Sequence, residues 1–113
     1  MSTSVPHVAC ADVPSPLPDQ LLVVDVREQD EWAAGHIAEA VHIPLMQVPQ
    51  RVDDIPSDRP VLVVCRVGAR SAQAAGFLQA QGRDVVNLTG GMLAWEASGR
   101  PMVADSGGDP VVA

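Results

Sequence analysis

Lysine is absent from this chain of 113 residues, so all seven basic side chains are arginines. Fourteen acidic residues outnumber them and give a formal charge of -7. This balance argues against nucleic acid and anionic membrane surfaces as partners, because both select a basic face. No apolar run approaches the length of a membrane span, and no basic, apolar signal peptide opens the chain. We therefore expect a cytoplasmic protein.

Cysteine is also scarce. The two cysteines, Cys10 and Cys65, lie in very different settings and do not form a disulfide framework, so both thiols are expected to be free. Cys10 has no basic neighbours and is interpreted as a small apolar filler, with a resolving thiol for Cys65 as the second hypothesis. The three histidines have no metal-ligand spacing with the cysteines. Neither a metal nor an organic cofactor is therefore expected.

The stretch from Val61 to Ser71 carries the clearest chemical signal. Its four apolar residues 61–64 predict a buried strand that ends at Cys65, and the alanine-rich run that begins at Ser71 predicts a helix. Ligands of open α/β sheets bind at the carboxyl ends of strands, which is where Cys65 lies. The alternative is inert packing, because free cysteines are among the most buried residues.

The residues after Cys65 favour a reactive or anion-binding thiol. Gly68 tolerates a positive φ, so the backbone N–H groups of this loop can turn inward around one point. Arg66 and Arg70 flank the loop and a helix dipole lies behind it, and both effects lower the pKa of a thiol. The candidate site is therefore Cys65, as a reactive or anion-binding thiol, with the loop residues that would surround a bound anion: Arg66, Val67, Gly68, Ala69, Arg70 and Ser71.

Apolar runs alternate with helix-prone segments along the chain. The expected strands are 5–9, 21–26, 41–43, 61–64 and 85–88, and the expected helices are 27–34, 71–81, one after the glycine pair at 90–91, and a short one beginning near Pro49. Gln29 or Asp30 is expected to cap the first helix. This alternation predicts an α/β domain with a parallel sheet covered on both faces. One domain spans 1–113, with a core of about 21–101, a flexible tail at 102–113 and no predicted path for 1–20.

Several other residues are assigned to structure. Asp25 and Arg27 are expected to form a buried pair at a strand end. His36, which follows a glycine, is expected to satisfy a backbone group in its turn. Trp32 and Trp95 are expected to fill the core.

Three motifs resemble those of the rhodanese family. The first is Asp25-Val26-Arg27-Glu28 with Glu31-Trp32, Gly35-His36-Ile37, Ala40 and Ile43-Pro44; the second is the loop from Cys65 to Ser71; the third is Gly90-Gly91 with Ala94-Trp95. All three occur in order at the family's spacing across about residues 21–101, which makes the match specific. The sequence departs from the pattern at Glu39, where the family usually has glycine, and before Leu21, where the usual first helix is missing.

The resemblance implies a small α/β domain with a five-stranded parallel sheet. It also implies sulfurtransferase chemistry, in which the loop cysteine takes the outer sulfur of thiosulfate as a persulfide and passes it to cyanide or to a thiol, including that of a thioredoxin-like protein. Arg66 and Arg70 would bind the sulfonate of that small dianion. No base is needed to activate a thiolate that has already formed.

Loop length separates the chemistries that this resemblance allows. Cell-cycle phosphatases and some arsenate reductases share the fold but place five residues between cysteine and arginine, whereas Arg66 to Ala69 are only four. Enzymes that use 3-mercaptopyruvate have small residues after the cysteine, so Arg66 favours an inorganic dianion such as thiosulfate. The second hypothesis is a non-catalytic rhodanese-fold module that binds anions or proteins. The intact Cys65 counts against it, and the loop count makes a phosphatase the third choice.

Overall fold

The computed structural model describes residues 4–113. Met1 to Thr3 lie outside this range. These residues belong to the N-terminus in which no signal peptide was predicted. The strands are β1 (His7–Ala9), β2 (Leu22–Asp25), β3 (Val41–His42), β4 (Val61–Val64) and β5 (Val85–Thr89). The α-helices are α1 (Gln29–Ala34), α2 (Ala69–Ala80) and α3 (Gly91–Ala97). No helix within the described part of the chain is long and apolar enough to cross a membrane.

The five strands form one parallel sheet in the order β1-β5-β4-β2-β3. Strand β4 lies in the centre, where Val61 to Val64 are all buried. Because parallel strands share a direction, the loops after β2, β4 and β5 emerge at the same edge of the sheet. This confirms the predicted α/β architecture and brings the loop after Cys65 to the carboxyl edge.

The sheet is covered on both faces, as the continuous apolar strands predict. On one face α2 packs through Ala74, Ala75 and Leu78, together with buried residues of segment 43–55. On the other face α3 packs through Met92 and Trp95, together with segment 10–17. Trp95 is therefore a core residue, as predicted.

The predicted helix near Pro49 is wrong. Two short 3₁₀ turns, Leu45–Gln47 and Val52–Asp54, occupy this segment instead. In an α-helix the Leu45 carbonyl would accept a hydrogen bond from residue 49, but proline has no N–H. The carbonyl accepts the Val48 N–H at 3.2 Å, which closes the tighter 3₁₀ turn.

Helix α1 differs from expectation at its start and in its aromatic residue. Glu28, rather than Gln29 or Asp30, is the N-cap residue, and its N–H donates to Glu31 Oε1 at 3.0 Å. Trp32 does not fill the core. It is half-buried, with its ring stacked between His36 and His42 at centroid distances of 3.6 and 4.8 Å.

Residues 102–113, expected from composition to form a flexible tail, lie against α1 in the structure. Val103 pairs with His36 as an antiparallel bridge, and the Val111 N–H donates to the Ala34 carbonyl at 3.0 Å. The strand expected at 5–9 is found as β1, at the edge of the sheet, and the residues after it, for which no path was predicted, form a 3₁₀ turn at Cys10–Asp12. Residues 10–17 pack on the face of the sheet that α3 also covers.

Candidate active site

Cys65 follows the last residue of β4 and has no exposed surface. Its sulfur lies inside the loop that leads into α2. The Gly68 N–H donates to Cys65 Sγ at 3.0 Å, and the Ser71 hydroxyl oxygen lies 3.2 Å from the same sulfur. Gly68 has a φ of +108°, which turns its N–H inward and which only glycine adopts readily.

The N-terminus of α3 holds the outer side of this loop. The Met92 N–H donates to the Cys65 carbonyl at 2.8 Å, and the Leu93 N–H donates to the Arg66 carbonyl at 3.1 Å. Gly91 permits this contact, because a Cβ there would lie only 2.4 Å from the Cys65 carbonyl oxygen. With their carbonyls bound outward to α3, the loop peptides can turn N–H groups toward the sulfur. The glycine pair of the third motif therefore shapes the cysteine loop.

These contacts change the acidity of Cys65. Burial alone would raise the pKa of its thiol. Hydrogen bonding from the Ser71 hydroxyl, and from the backbone N–H groups of Ser71, Gly68 and Val67, outweighs burial and lowers the pKa below its ordinary value. Cys65 therefore loses its proton more readily than an ordinary cysteine, and the thiolate is the nucleophilic form.

Asn87 of β5 braces the same loop. Its Nδ2 donates to the Gly68 carbonyl at 3.1 Å, and its Oδ1 lies 2.5 Å from the Ser71 hydroxyl oxygen. Sequence reasoning missed this residue. The available signal was a polar side chain inside the apolar run Val85–Leu88 of a strand expected to be buried on both faces.

Arg70 is paired with a carboxylate of α1. Its two terminal nitrogens donate to the two oxygens of Glu31 at 2.7 and 2.9 Å. This bidentate hydrogen bond lowers the pKa of Glu31 to about 2 and raises that of Arg70 above its ordinary value. Sequence reasoning placed Glu31 in the first motif but assigned it no partner, because the two residues are 39 positions apart.

The other predicted loop residues lie at the surface around the sulfur. Arg66 is exposed, and its Nε donates to the Ala113 main-chain oxygen at 3.0 Å. Val67 is 52% exposed and Ala69 is also exposed. Of the seven predicted residues, Cys65 to Gly68 thus form the loop and Ala69 to Ser71 form the first turn of α2. Among the described residues, no three His, Cys, Asp or Glu side chains are arranged to hold a metal ion.

The buried Asp25–Arg27 ion pair joins two elements next to the site, β2 and α1. Both side chains are fully buried, and Arg27 donates to Asp25 through Nε and Nη2. Arg27 also donates to the Glu31 and Gly35 carbonyls at 3.3 and 2.7 Å. The pair therefore fixes α1 to the end of β2, as the prediction of a structural ion pair requires. His36 Nδ1 lies 2.7 Å from the Trp32 carbonyl, which is the backbone contact expected for it.

Fold and site together define a class: a parallel α/β domain with an acidified thiol in a cradle of N–H groups at the end of its central strand. The rhodanese-like domain family model matches residues 11–98, and the chain belongs to this family. It is 44% identical over 90 residues to a sulfurtransferase of Allochromatium vinosum, covering 79% of this chain and 84% of the relative.

Two further comparisons agree. A thiosulfate sulfurtransferase GlpE of Pseudomonas fluorescens is 38% identical over 78 residues, covering 68% of this chain and 72% of that protein. The crystal structure of a rhodanese-related protein from Thermoplasma volcanium superposes with a TM-score of 0.81 at 32% identity, covering 87% of this chain and 97% of that one. The similarity therefore extends through nearly the whole domain.

Proposed function

We propose that this protein is a sulfurtransferase that moves sulfane sulfur from thiosulfate to a thiophilic acceptor through a persulfide on Cys65. The observation that carries the proposal is the pair of contacts at the sulfur, 3.0 Å from the Gly68 nitrogen and 3.2 Å from the Ser71 oxygen. The names of the relatives support sulfur transfer in general. A thiosulfate donor is supported by the charge of Arg66 at the loop.

The reaction needs no base. The Cys65 thiolate attacks the outer sulfur of thiosulfate, a new S–S bond forms, the old one breaks, and sulfite leaves with the electron pair. The terminal sulfur of the resulting persulfide carries the negative charge, and the inward N–H groups of the loop stabilise it. Attack by cyanide or a thiolate on that outer sulfur then returns Cys65 to the thiolate. A reducing cytoplasm suits this cycle because it supplies thiol acceptors.

Intact-protein mass spectrometry tests the persulfide directly. After incubation with thiosulfate, the natural chain should gain the mass of one sulfur and lose it again on addition of cyanide. Cys65→Ser should gain none, whereas Cys10→Ser should gain the same mass as the natural chain. If 3-mercaptopyruvate loads sulfur and thiosulfate does not, the donor assignment is wrong. If neither donor loads sulfur onto a folded chain, the domain is a binding module without sulfur chemistry.

Steady-state kinetics tests the arginines. Arg66→Ala and Arg70→Ala should each raise the KM for thiosulfate at least severalfold, because each removes a charge-assisted contact worth about 1.5–3 kcal/mol. The larger increase is expected for Arg66, because Glu31 already pairs with Arg70. Arg59→Ala is the matched control: Arg59 precedes β4 at the opposite edge of the sheet and donates to the Asp19 and Gln20 carbonyls. Unchanged KM values in both loop variants would refute the arginine assignment.

A further inference from the structure

Asn87 is a buried polar residue that the sulfur chemistry above does not use. It lies within β5 and is 3% exposed. Its amide contacts the loop at two points, the Gly68 carbonyl and the Ser71 hydroxyl. The side chain therefore contacts both residues that lie against the Cys65 sulfur, Gly68 and Ser71.

The orientation of this amide follows from its neighbours. The Gly68 carbonyl can only accept, so the nitrogen of the Asn87 amide must face it. The same nitrogen lies 3.1 Å from His7 Nδ1, which can accept its second hydrogen. Oδ1 therefore faces Ser71. Because this oxygen carries no hydrogen, Ser71 is the donor in the 2.5 Å contact.

Ser71 has one hydroxyl proton and two acceptors for it, Asn87 Oδ1 and Cys65 Sγ. While Cys65 is a thiol, its S–H donates to Ser71 Oγ, and Ser71 donates to Asn87, so every group is satisfied. When the thiol proton leaves to solvent, the sulfur can only accept. Ser71 must then turn its proton from Asn87 to the sulfur, which leaves the buried Oδ1 without a donor.

We propose that Asn87 is a positioning residue that competes with the sulfur of Cys65 for the Ser71 hydroxyl proton and thereby opposes formation of the thiolate. The inference deepens the proposed function and rests on Cys65 being its nucleophile. If Asn87 competes for the Ser71 proton, the Cys65 thiolate is less stabilised by this hydrogen bond. It then retains more of its nucleophilicity than a thiolate that accepts the Ser71 proton without competition. Once the persulfide has formed, the charge lies on the outer sulfur, and the Ser71 proton returns to Asn87.

The surrounding charges do not depend on Asn87. The charge of Arg70 on α2 acts on Cys65, and Glu31 on α1 holds Arg70. Glu28 and Arg66 flank the same edge, and His7 on β1 faces Asn87. Substituting Asn87 leaves Arg70, Glu31, Glu28 and Arg66 in place but removes the hydrogen bond to His7, an effect that does not involve Ser71 and that a Ser71→Ala background would therefore retain. The Gly68 carbonyl also keeps a donor, because the Ala72 N–H binds it at 3.2 Å. A change in Cys65 ionisation that is lost in the Ser71→Ala background would therefore report on the Ser71 proton.

The test follows thiolate ultraviolet absorbance against pH in a Cys10→Ala background, where Cys65 is the only thiol. Asn87→Leu removes the competing oxygen and leaves no polar atom at that position. The titration midpoint should fall by about half a unit to one unit, the equivalent of one hydrogen bond. In a Ser71→Ala background the same substitution should leave the midpoint unchanged. Thr89→Val, at an exposed position of β5, controls for a change to the strand itself.

A midpoint that stays constant or rises in Asn87→Leu would overturn the inference, and so would an equal shift with and without Ser71. Circular dichroism checks the fold, and Asn87→Val, which suits a strand, replaces the leucine variant if that one unfolds. The titration needs no sulfur donor. It therefore tests the competition for the proton even if thiosulfate fails to load Cys65, which keeps failure of this inference distinct from failure of the proposed function.

Discussion

Two cysteines with the same burial have different surroundings in this protein. Cys10 is 5% exposed and Cys65 is 0% exposed. Cys10 packs in an apolar cluster with Val13, Leu88 and Trp95. Cys65 receives an N–H from Gly68 and has the Ser71 hydroxyl beside it, which lowers its pKa despite burial. Hydrogen-bond donors, rather than exposure, therefore distinguish Cys65, the proposed nucleophile, from Cys10.

The largest effect should come from replacing each cysteine by serine in turn. Cys65→Ser should lower the rate of sulfur transfer by at least about a thousandfold, because serine forms no persulfide. Cys10→Ser should transfer sulfur at the natural rate and should instead be less stable by about 1–2 kcal/mol, because a hydroxyl replaces a thiol among apolar side chains. Transfer kinetics and denaturant unfolding measure the two quantities. A lower rate of sulfur transfer in Cys10→Ser would revive the hypothesis of a resolving thiol.

Gly91→Ala should damage the surroundings of Cys65 without changing either cysteine. The added Cβ would overlap the Cys65 and Arg66 carbonyl oxygens, and Gly91 has a φ of +55° that alanine disfavours. Displacement of the loop should lower kcat/KM by about a hundredfold. Gly99→Ala is the control, because it also has a positive φ but meets no atom within 4 Å. Equal loss of activity in both variants would mean that φ strain, and not contact with the loop, is responsible.

Ser71→Ala should make Cys65 more similar to an ordinary buried thiol. Without the hydroxyl, the opposing effect of burial remains, so the pKa of Cys65 should rise by about one unit. Sulfur uptake measured across a pH series should shift upward by the same amount. Ser71→Thr keeps a hydroxyl and should restore the natural profile. A profile that is identical in all three proteins would show that the backbone N–H groups alone set the acidity.

The smallest effect should come from the ion pair beside the loop. The pKa of Glu31 is depressed from 4.5 to about 2, so its contribution to stability is present above pH 4.5 and is lost as the pH falls toward 2. Glu31→Gln should be less stable than the natural chain at neutral pH and should approach it in acid. Chemical unfolding at both pH values checks this. A stability difference that does not depend on pH would assign the effect to packing.

The sequence indicated the local parts of the site. Cys65, Gly68 and Ser71 lie within seven residues, so their spacing alone predicts a loop with inward N–H groups. Asn87 and Glu31 reach this loop from 16 and 39 positions away from their partners, and only the sheet order brings them there. No local propensity encodes such a contact, because it depends on which strands become neighbours.

The errors in predicted elements have a similar origin. Apolar residues at helical spacing favoured a helix that begins near Pro49, but in the structure the Asp54 and Ile55 N–H groups donate to the carbonyls three residues back, at Arg51 and Val52, and close a 3₁₀ turn instead. Trp32 was assigned to the core. In the structure its ring stacks with two histidine rings, one of them from β3, which a reading of α1 alone does not include. Tertiary neighbours overrode the local interpretation in this case.

The all-parallel sheet has a consequence for how the protein gains its chemistry during folding. Adjacent parallel strands cannot be joined by a hairpin, so each pairing closes a long loop of chain. The donors around Cys65 lie in the loop before α2 and in the first turn of this helix, and they are held by α3 and β5, so their arrangement depends on two elements that follow this helix in the chain. Thiol acidity should therefore appear late in refolding, after most helical signal has returned, and the sulfur itself can report the completion of the native state.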